Sequence, residues 1–329
     1  VGTYGRGFWI FDDLSPIQQM TPEVMASASH LFAPRDAYRF RPITPPSIPY
    51  DDPTIGEDPE YGASLNYWLA AAASEGPTIE ILDGSGTVVR TLEGRNRAGV
   101  NRIHWDLRDE PNEPIRMLTP PRYAEHIEVG DEGRPAPGGA QISVLMPPGQ
   151  YTVRLTVDGA THEQPLTVLK DPHSAGTEAD IAEQLAFIRE VREDVVRAGE
   201  AVHRVEAMRV QLRTLSRFAE EEDLAASVED LRQKLMELQE TMVDLRLTGQ
   251  GQDGVRFEAR LLQKLGYLVG ALSIADFRPT DQEMEVKVIL HEALETHLAE
   301  LEELVRTDVA ALNETLRGLG MLIITDDAF

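Results

Sequence analysis

Two histidines in the segment HEALETH, His291 and His297, invite comparison with zinc sites in which paired histidines flank a glutamate on one helix. They stand six residues apart, so on a helix their rings diverge by about 120° and cannot chelate one ion. His291 is read instead as a boundary residue of an apolar seam. His104 and Asp106 flank Trp105, and with His126 and His162 they offer the parts of a Ser-His-Asp arrangement. No nucleophile-elbow sequence marks the serine, and strand alternation puts His104 and Asp106 on a solvated face. Asp51, Asp52, Glu57, Asp58 and Glu60 could gather calcium, yet they lack the alternating acids and closing bidentate glutamate of an ordered calcium loop. They read as a solvated acidic strap. Glu220, Glu221, Glu222 and Asp223 sit where carboxylates favour a helix N-terminus.

The opening stretch, VGTYGRGFWIFDDL, spaces Gly2, Gly5 and Gly7 roughly as a phosphate-cradling loop does. No Lys-Ser/Thr pair or ribose-binding acid follows, and the plainer reading is a turn leading into a buried strand, Phe8 to Phe11. Arg6 is the one charge in this run. It either pairs with a carboxylate such as Asp12 or Asp13 to close a sheet, or binds a ligand in a channel.

Composition bounds the function classes. A net charge of −25 argues against nucleic acid and anionic membrane surfaces as partners. The absence of cysteine excludes disulfides, thiolate zinc sites and cysteine nucleophiles. No apolar run is long enough for membrane insertion, and no basic start followed by an apolar stretch marks a signal peptide. A hydrophobic content of 42% over 329 residues supports real cores in two or three domains.

The elements that must carry these residues fall into three regions. Met20 to about Tyr61 reads as an irregular strap, with prolines at 42, 45, 46, 49, 53 and 59. From Ala63 to Lys170 the period is two. Ile79 and Ile81 share a face before the turn Asp83-Gly84-Ser85-Gly86, Asn101, Ile103, Trp105 and Leu107 share another, and Tyr151, Val153, Leu155 and Val157 lead into an Asp158-Gly159 turn. Short strands with regular turn chemistry predict an immunoglobulin-like β-sandwich, with the segment from Asp109 to Gly139 as a surface loop. After Pro172 the period changes to heptads. Ile181, Ile188, Val195 and Val202 form one seam, Leu224, Val228, Leu231, Leu235, Leu238, Met242 and Leu245 a second, and Leu261 to Leu272 a third. A last helix starts at Thr280, capped with Glu283. Short connections predict an antiparallel up-down bundle that needs no metal or cofactor.

The segment GTYGRGFWIFDDLSPI resembles the end of the β-propeller in large bacterial exported proteins with sortilin-type or BNR-repeat propellers, often described as glycosyl-hydrolase-like. Gly2, Thr3, Gly5, Arg6, Gly7, Trp9, Asp12, Asp13, Leu14 and Pro16 fit, while Tyr4 stands where histidine is usual. LFAPRDAYRFR, IEILDGSGTVVRTL, AGVNRIHWDLR and PPGQYTVRLTVDG resemble the immunoglobulin-like domain that follows the propeller, which is similar to that of flagellar hook-capping proteins. LLQKLGYLVGALSIADFRPTDQE and DVAALN look like the family's C-terminal region. The resemblance implies a multidomain β + α chain: the terminal strand of a truncated propeller over 1–19, a Pro-rich strap over 20–61, the sandwich over 62–171 and an α-helical bundle over 172–329. It implies export to the periplasm or cell exterior and an upstream propeller of the same protein as partner. Any carbohydrate site would lie on that propeller, so no catalytic residue carries over.

Three functions are consistent with this reading: a non-catalytic scaffold and interaction region, an accessory region of a glycoside hydrolase or glycan-binding protein, and a helical assembly module. Arg6 and Trp68 are the candidate ligand-binding residues, Trp68 as a stacking platform for carbohydrate. A protein partner would dock on exposed apolar residues such as Leu247, Met321, Leu322, Ile323 and Ile324 if these form one patch. Residues 1–14 are expected to pack poorly without the propeller sheet.

Overall fold

The computed structural model describes residues 2, 4, 5, 7, 11–41, 59–248 and 253–327. Two short helical turns, α1 (Ser15–Gln18) and α2 (Pro22–Ala26), precede strands β1 (Ser29–Leu31), β2 (Ala37–Arg39), β3 (Ala63–Leu69), β4 (Thr78–Leu82), β5 (Val88–Glu93) and β6 (Gly99–Trp105). A long connection carries two short strands, β7 (Arg116–Met117) and β8 (Arg134–Pro135), before the hairpin of β9 (Gly149–Val157) and β10 (Ala160–Lys170). Helices α3 (Glu178–Leu215), α4 (Glu222–Met242), α5 (Leu261–Leu272), α6 (Asp281–Leu304) and α7 (Ala310–Gly318) follow, a π turn over Val305–Val309 joining the last two. The chain is thus mixed α and β, with small sheets followed by a packed helical bundle. Its contacts divide it into two compact units, one of residues 1–110, 143–185 and 275–277, the other of residues 111–142, 186–274 and 278–329.

In the first unit β1-β3-β6 make one sheet and β2-β10-β9-β4-β5 another, every pairing antiparallel except β2 with β10. Alternation along each strand sends one face inward, so Leu65 and Tyr67 of β3 and Trp105 of β6 join Ile79, Ile81, Val153 and Leu155 in a single buried cluster. Each large side chain contributes about 1.5–3 kcal/mol on burial. Trp105 is fully buried, its indole N–H donating to Arg108 O at 2.8 Å and its ring edge-on to Tyr151. Burial pushes the Tyr67 hydroxyl up to about 12. The β9–β10 turn needs two consecutive left-handed residues and uses Asp158 (φ 45°) and Gly159 (φ 81°).

Gly62 sits at φ +108°, and a Cβ there would lie 2.0 Å from Trp105 O. Gly62→Ala should therefore lower stability by about 2–4 kcal/mol through backbone strain plus the forced shift of β6. A chemical denaturation curve checks this, and a midpoint within error of the wild type would reject it.

Two sequence expectations change here. The strap predicted over 20–61 carries β1 and β2 ahead of its proline run, and each adds a strand to one of the sheets. The segment from Asp109 to Gly139, predicted as a surface loop, buries Ile115, Met117, Thr119 and Ala136. Its apolar residues follow no period because they pack singly, as where Ile115 meets Gly199 of α3. Among the described residues of the opening segment Tyr4, Phe11 and Leu14 are exposed, and no strand of the described sheets precedes Ser29.

In the second unit the heptad seams are buried as their spacing requires. Ile188, Val195 and Val202 of α3 and Leu224, Val228, Leu231, Leu235, Leu238 and Met242 of α4 all lie in the core. Helix α4 stops at Met242, earlier than its seam suggests, although Leu245 stays buried in the turn that follows. Helix α6 begins with the predicted capping box: Thr280 Oγ1 accepts from Glu283 N, and the Glu283 carboxylate accepts from Thr280 N at 2.8 Å. Among the described residues no helix is long and apolar enough to cross a membrane.

Candidate functional site

Within the helical unit the connection after β7 is fastened by one carboxylate. Glu206 of α3 is wholly buried and accepts from Leu118 N (2.7 Å), Thr119 N (2.7 Å), Thr119 Oγ1 (2.9 Å), Arg209 Nη1 (2.6 Å) and Gln239 Nε2 (2.7 Å). Gln239 of α4 also accepts from Arg209 at 2.6 Å, closing the network. Arg134 donates from Nε to Thr119 O at 2.9 Å. Burial requires this degree of pairing, since an unpartnered charge in such a place costs several kcal/mol.

This anchoring sets the segment from Thr119 to Glu125 against α3 and α4 and leaves a cavity of about 280 Å³ between them. Four guanidinium groups, Arg122, Arg209, Arg213 and Arg232, and two carboxylates, Glu125 and Glu229, line it. Arg122 pairs with Glu240 at 2.6 Å and Arg232 takes both oxygens of Glu229, at 2.5 and 2.7 Å. Arg209 is 8% exposed and burial lowers its pKa, with the Glu206 charge opposing that. It donates only from Nη1, and its Nε is sealed from solvent without a partner. Arg213, one turn further along α3, is exposed; its carbonyl accepts from Ser216 Oγ at 2.9 Å, and its guanidinium has no partner among the described residues. Arginine forks of this kind match the planar oxygens of carboxylates and the oxygen face of phosphates. The histidine and acid patterns did not point here. The legible signal was Arg209 and Arg213 four residues apart on one helix face, in a chain that prefers arginine to lysine.

The residues singled out from the sequence lie elsewhere. Arg6 falls outside the described residues, as do Asp51, Asp52, Glu57 and Asp58 of the acidic strap. Trp68 is half-buried on β3 between His30 of β1 and Val100 of β6, and its indole N–H donates to Ser27 O at 3.3 Å. His104 Nδ1 lies 2.9 Å from Glu60, while Asp106 accepts from Arg108 N. His162 does find a serine: its Nε2 is 2.8 Å from Ser29 Oγ, a nucleophile–base distance. Among the described residues no carboxylate stands within ion-pair distance of His162 to orient its ring. Neighbouring His30 has a lowered pKa, from burial first and the His162 charge second. His291 contacts Asp194 at 3.0 Å and His297 contacts Glu300 at 3.4 Å, so the two rings face different partners. No cluster of three or more potential metal ligands occurs among the described residues. Leu247 and Ile324 are buried, Ile324 being clamped through its backbone by Asn313, so the five-residue apolar patch expected as a docking surface does not form.

No family model matches the chain, and no curated protein matches it.

Proposed function

We propose that this chain is the non-catalytic C-terminal region of an exported β-propeller protein, an immunoglobulin-like sandwich and a helical bundle that act as scaffold and interaction surface. What supports the reading is the order of features. The GTYGRGFWIFDDL segment comes first, then two sheets sharing one core around Trp105, then the long helices. The propeller of the same protein is the partner of the opening segment. The upstream reading frame tests this proposal: several propeller blades and an export signal are expected, and a start codon immediately before Val1 would overturn it. Activity assays on the parent protein and on this chain alone then locate any active site, with turnover by this chain alone excluding the non-catalytic reading.

A second reading, an accessory region for glycan binding, draws on Trp68. Its ring is held on the central strand of the three-stranded sheet by the bond to Ser27 and leaves part of its surface accessible. Stacking on sugar rings uses such a surface. On this reading a glycan array captures the chain and Trp68→Ala loses the captured signal about tenfold or more, the equivalent of ~1.4 kcal/mol. Equal capture by the two proteins removes Trp68 from any glycan site.

A further inference from the structure

We propose that the arginine-lined cavity of the helical unit is a binding site for a small oxyanion-bearing molecule, one that presents phosphate or carboxylate groups to Arg209, Arg213 and Arg232. The inference does not depend on whether a propeller precedes this chain. Three observations carry it.

First, the wall of the cavity is positive in a chain whose net charge is −25. Its four guanidinium groups face two lining carboxylates, and the acids that pair with Arg209 and Arg122, Glu206 and Glu240, do not line the cavity. Three of the four are paired, with Glu240, Glu206 and Glu229, so the cation that attracts an anion against so acidic a background is Arg213, with the remaining N–H donors of the other three around it. Second, the donor capacity is incompletely used. Each arginine carries five N–H donors. Arg209 is more than nine-tenths buried and spends only Nη1 on the Glu206–Gln239 network; its Nε is sealed from solvent and out of a ligand's reach, so Nη2 is the donor it has left to offer. Arg213 spends none among the described residues. Burying a guanidinium with unmet donors is costly unless something else supplies acceptors. Third, the place is built rather than incidental. The Thr119–Glu125 wall is fixed at its start by the hydrogen bonds to Glu206, and Arg232 is held by both oxygens of Glu229, so these groups lose little freedom on binding and Arg213 is the one side chain that a ligand must order.

The volume limits the ligand. About 280 Å³ is near the small end of the range for ligand pockets, which suits a phosphorylated or carboxylated compound of metabolite size and excludes a folded partner. The rival account makes Arg213 a purely structural cation that offsets the negative end of α3, in whose last turn it lies. That account predicts no ligand.

Thermal unfolding and titration calorimetry of the whole chain separate the two. The probes are inorganic phosphate, citrate and glucuronate, each compared with sodium chloride at equal ionic strength. At least one oxyanion should raise Tm above the chloride control and give a saturable heat, with phosphate and the carboxylates distinguishing which head group is preferred. Arg213→Ala, an exposed change, should keep the fold and weaken that binding about tenfold or more, the range for a charge-assisted hydrogen bond. Arg306→Ala, an exposed residue of the π turn whose guanidinium pairs among the described residues only with Glu303, should leave it unchanged. If no oxyanion exceeds the chloride control, or if Arg213→Ala and Arg232→Ala bind as the wild type does, the proposal is overturned.

Discussion

Replacing Glu206 by alanine should lower the stability of the helical unit by about 3–5 kcal/mol, the range for stripping one partner from a buried ion pair. In a unit of this size that is a fall in Tm of roughly 6–20 °C, at about 2–4 °C per kcal/mol. The size follows from what the carboxylate leaves behind. Five donors lose their acceptor at once: two backbone amides, a hydroxyl, a guanidinium and a side-chain amide, all pointed into a site that water does not reach. Glutamine at 206 keeps the shape but turns an N–H₂ toward donors, so it too should destabilise, by less than alanine. Amide exchange gives a second readout. The Leu118 and Thr119 N–H groups should lose protection in Glu206→Ala before the rest of the unit does. A Tm within about 2 °C of the wild type, at most ~1 kcal/mol on the same scale, would show that the connection is held by its apolar contacts alone.

The second large effect concerns Asp276, in the other unit. Its carboxylate is buried and pairs with the fully buried guanidinium of Arg39 and with Arg41, 2.9 Å from its Nε. Arg39 also donates to Met146 O at 2.9 Å, and Gln184 ties the flanking backbone by donating to Ala275 O and Phe277 O. Gly176 packs so closely on this turn that a Cβ would lie 1.5 Å from Asp276 O. Asp276→Asn keeps the volume and strands the Arg39 charge, and should cost about 3–5 kcal/mol at neutral pH.

The pH dependence supplies the sign. Burial by itself raises the Asp276 pKa, but the hydrogen bond and charge of Arg39, joined by the charge of Arg41, more than reverse this and hold it below the ordinary 3.8. A carboxyl whose pKa is depressed on folding contributes stability that is complete above its unfolded value and is lost as pH falls through the folded one. The stability difference between wild type and Asp276→Asn should therefore be flat around neutral pH and narrow as pH falls below 3.8. Asp13, Asp244 and Asp308, depressed by their own partners, act equally in both proteins and cancel in the difference. A difference that stays constant down to pH 2 would remove the ion pair as its source.

Much of the local structure was legible because local periodicity decides it. Heptad positions such as Val195 and Leu235 had one face to bury, Thr280 and Glu283 carried their capping box within four residues, and Asp158-Gly159 supplied the left-handed pair that a two-residue turn demands. What escaped notice depends on partners far apart in sequence. Three residues of β1 pair with β3, and three of β2 add in parallel to β10, on stretches too short to show alternation beside a proline run. Nothing near Asp276 in SIADFRPT shows that two arginines wait for it. The arginine cavity was hidden for the same reason. Arg122 comes from an irregular connection, Arg209 and Arg213 from one helix and Arg232 from the next, and only folding brings them to one wall.

Asp276 follows Arg39 by 237 residues, and that interval has a meaning during synthesis. At about 5–20 residues per second, the ribosome needs roughly 12–47 s after making the arginine before the aspartate exists. The last strand of the first unit's sheets ends at Lys170, so for roughly the final 5–21 s of that time the sheets can assemble around a guanidinium with no carboxylate to meet it, and the segment of residues 275–277 that belongs to them is not yet made. The nascent chain therefore passes through a long interval with its sheets present and their closing acid missing, the interval in which it most needs protection from self-association.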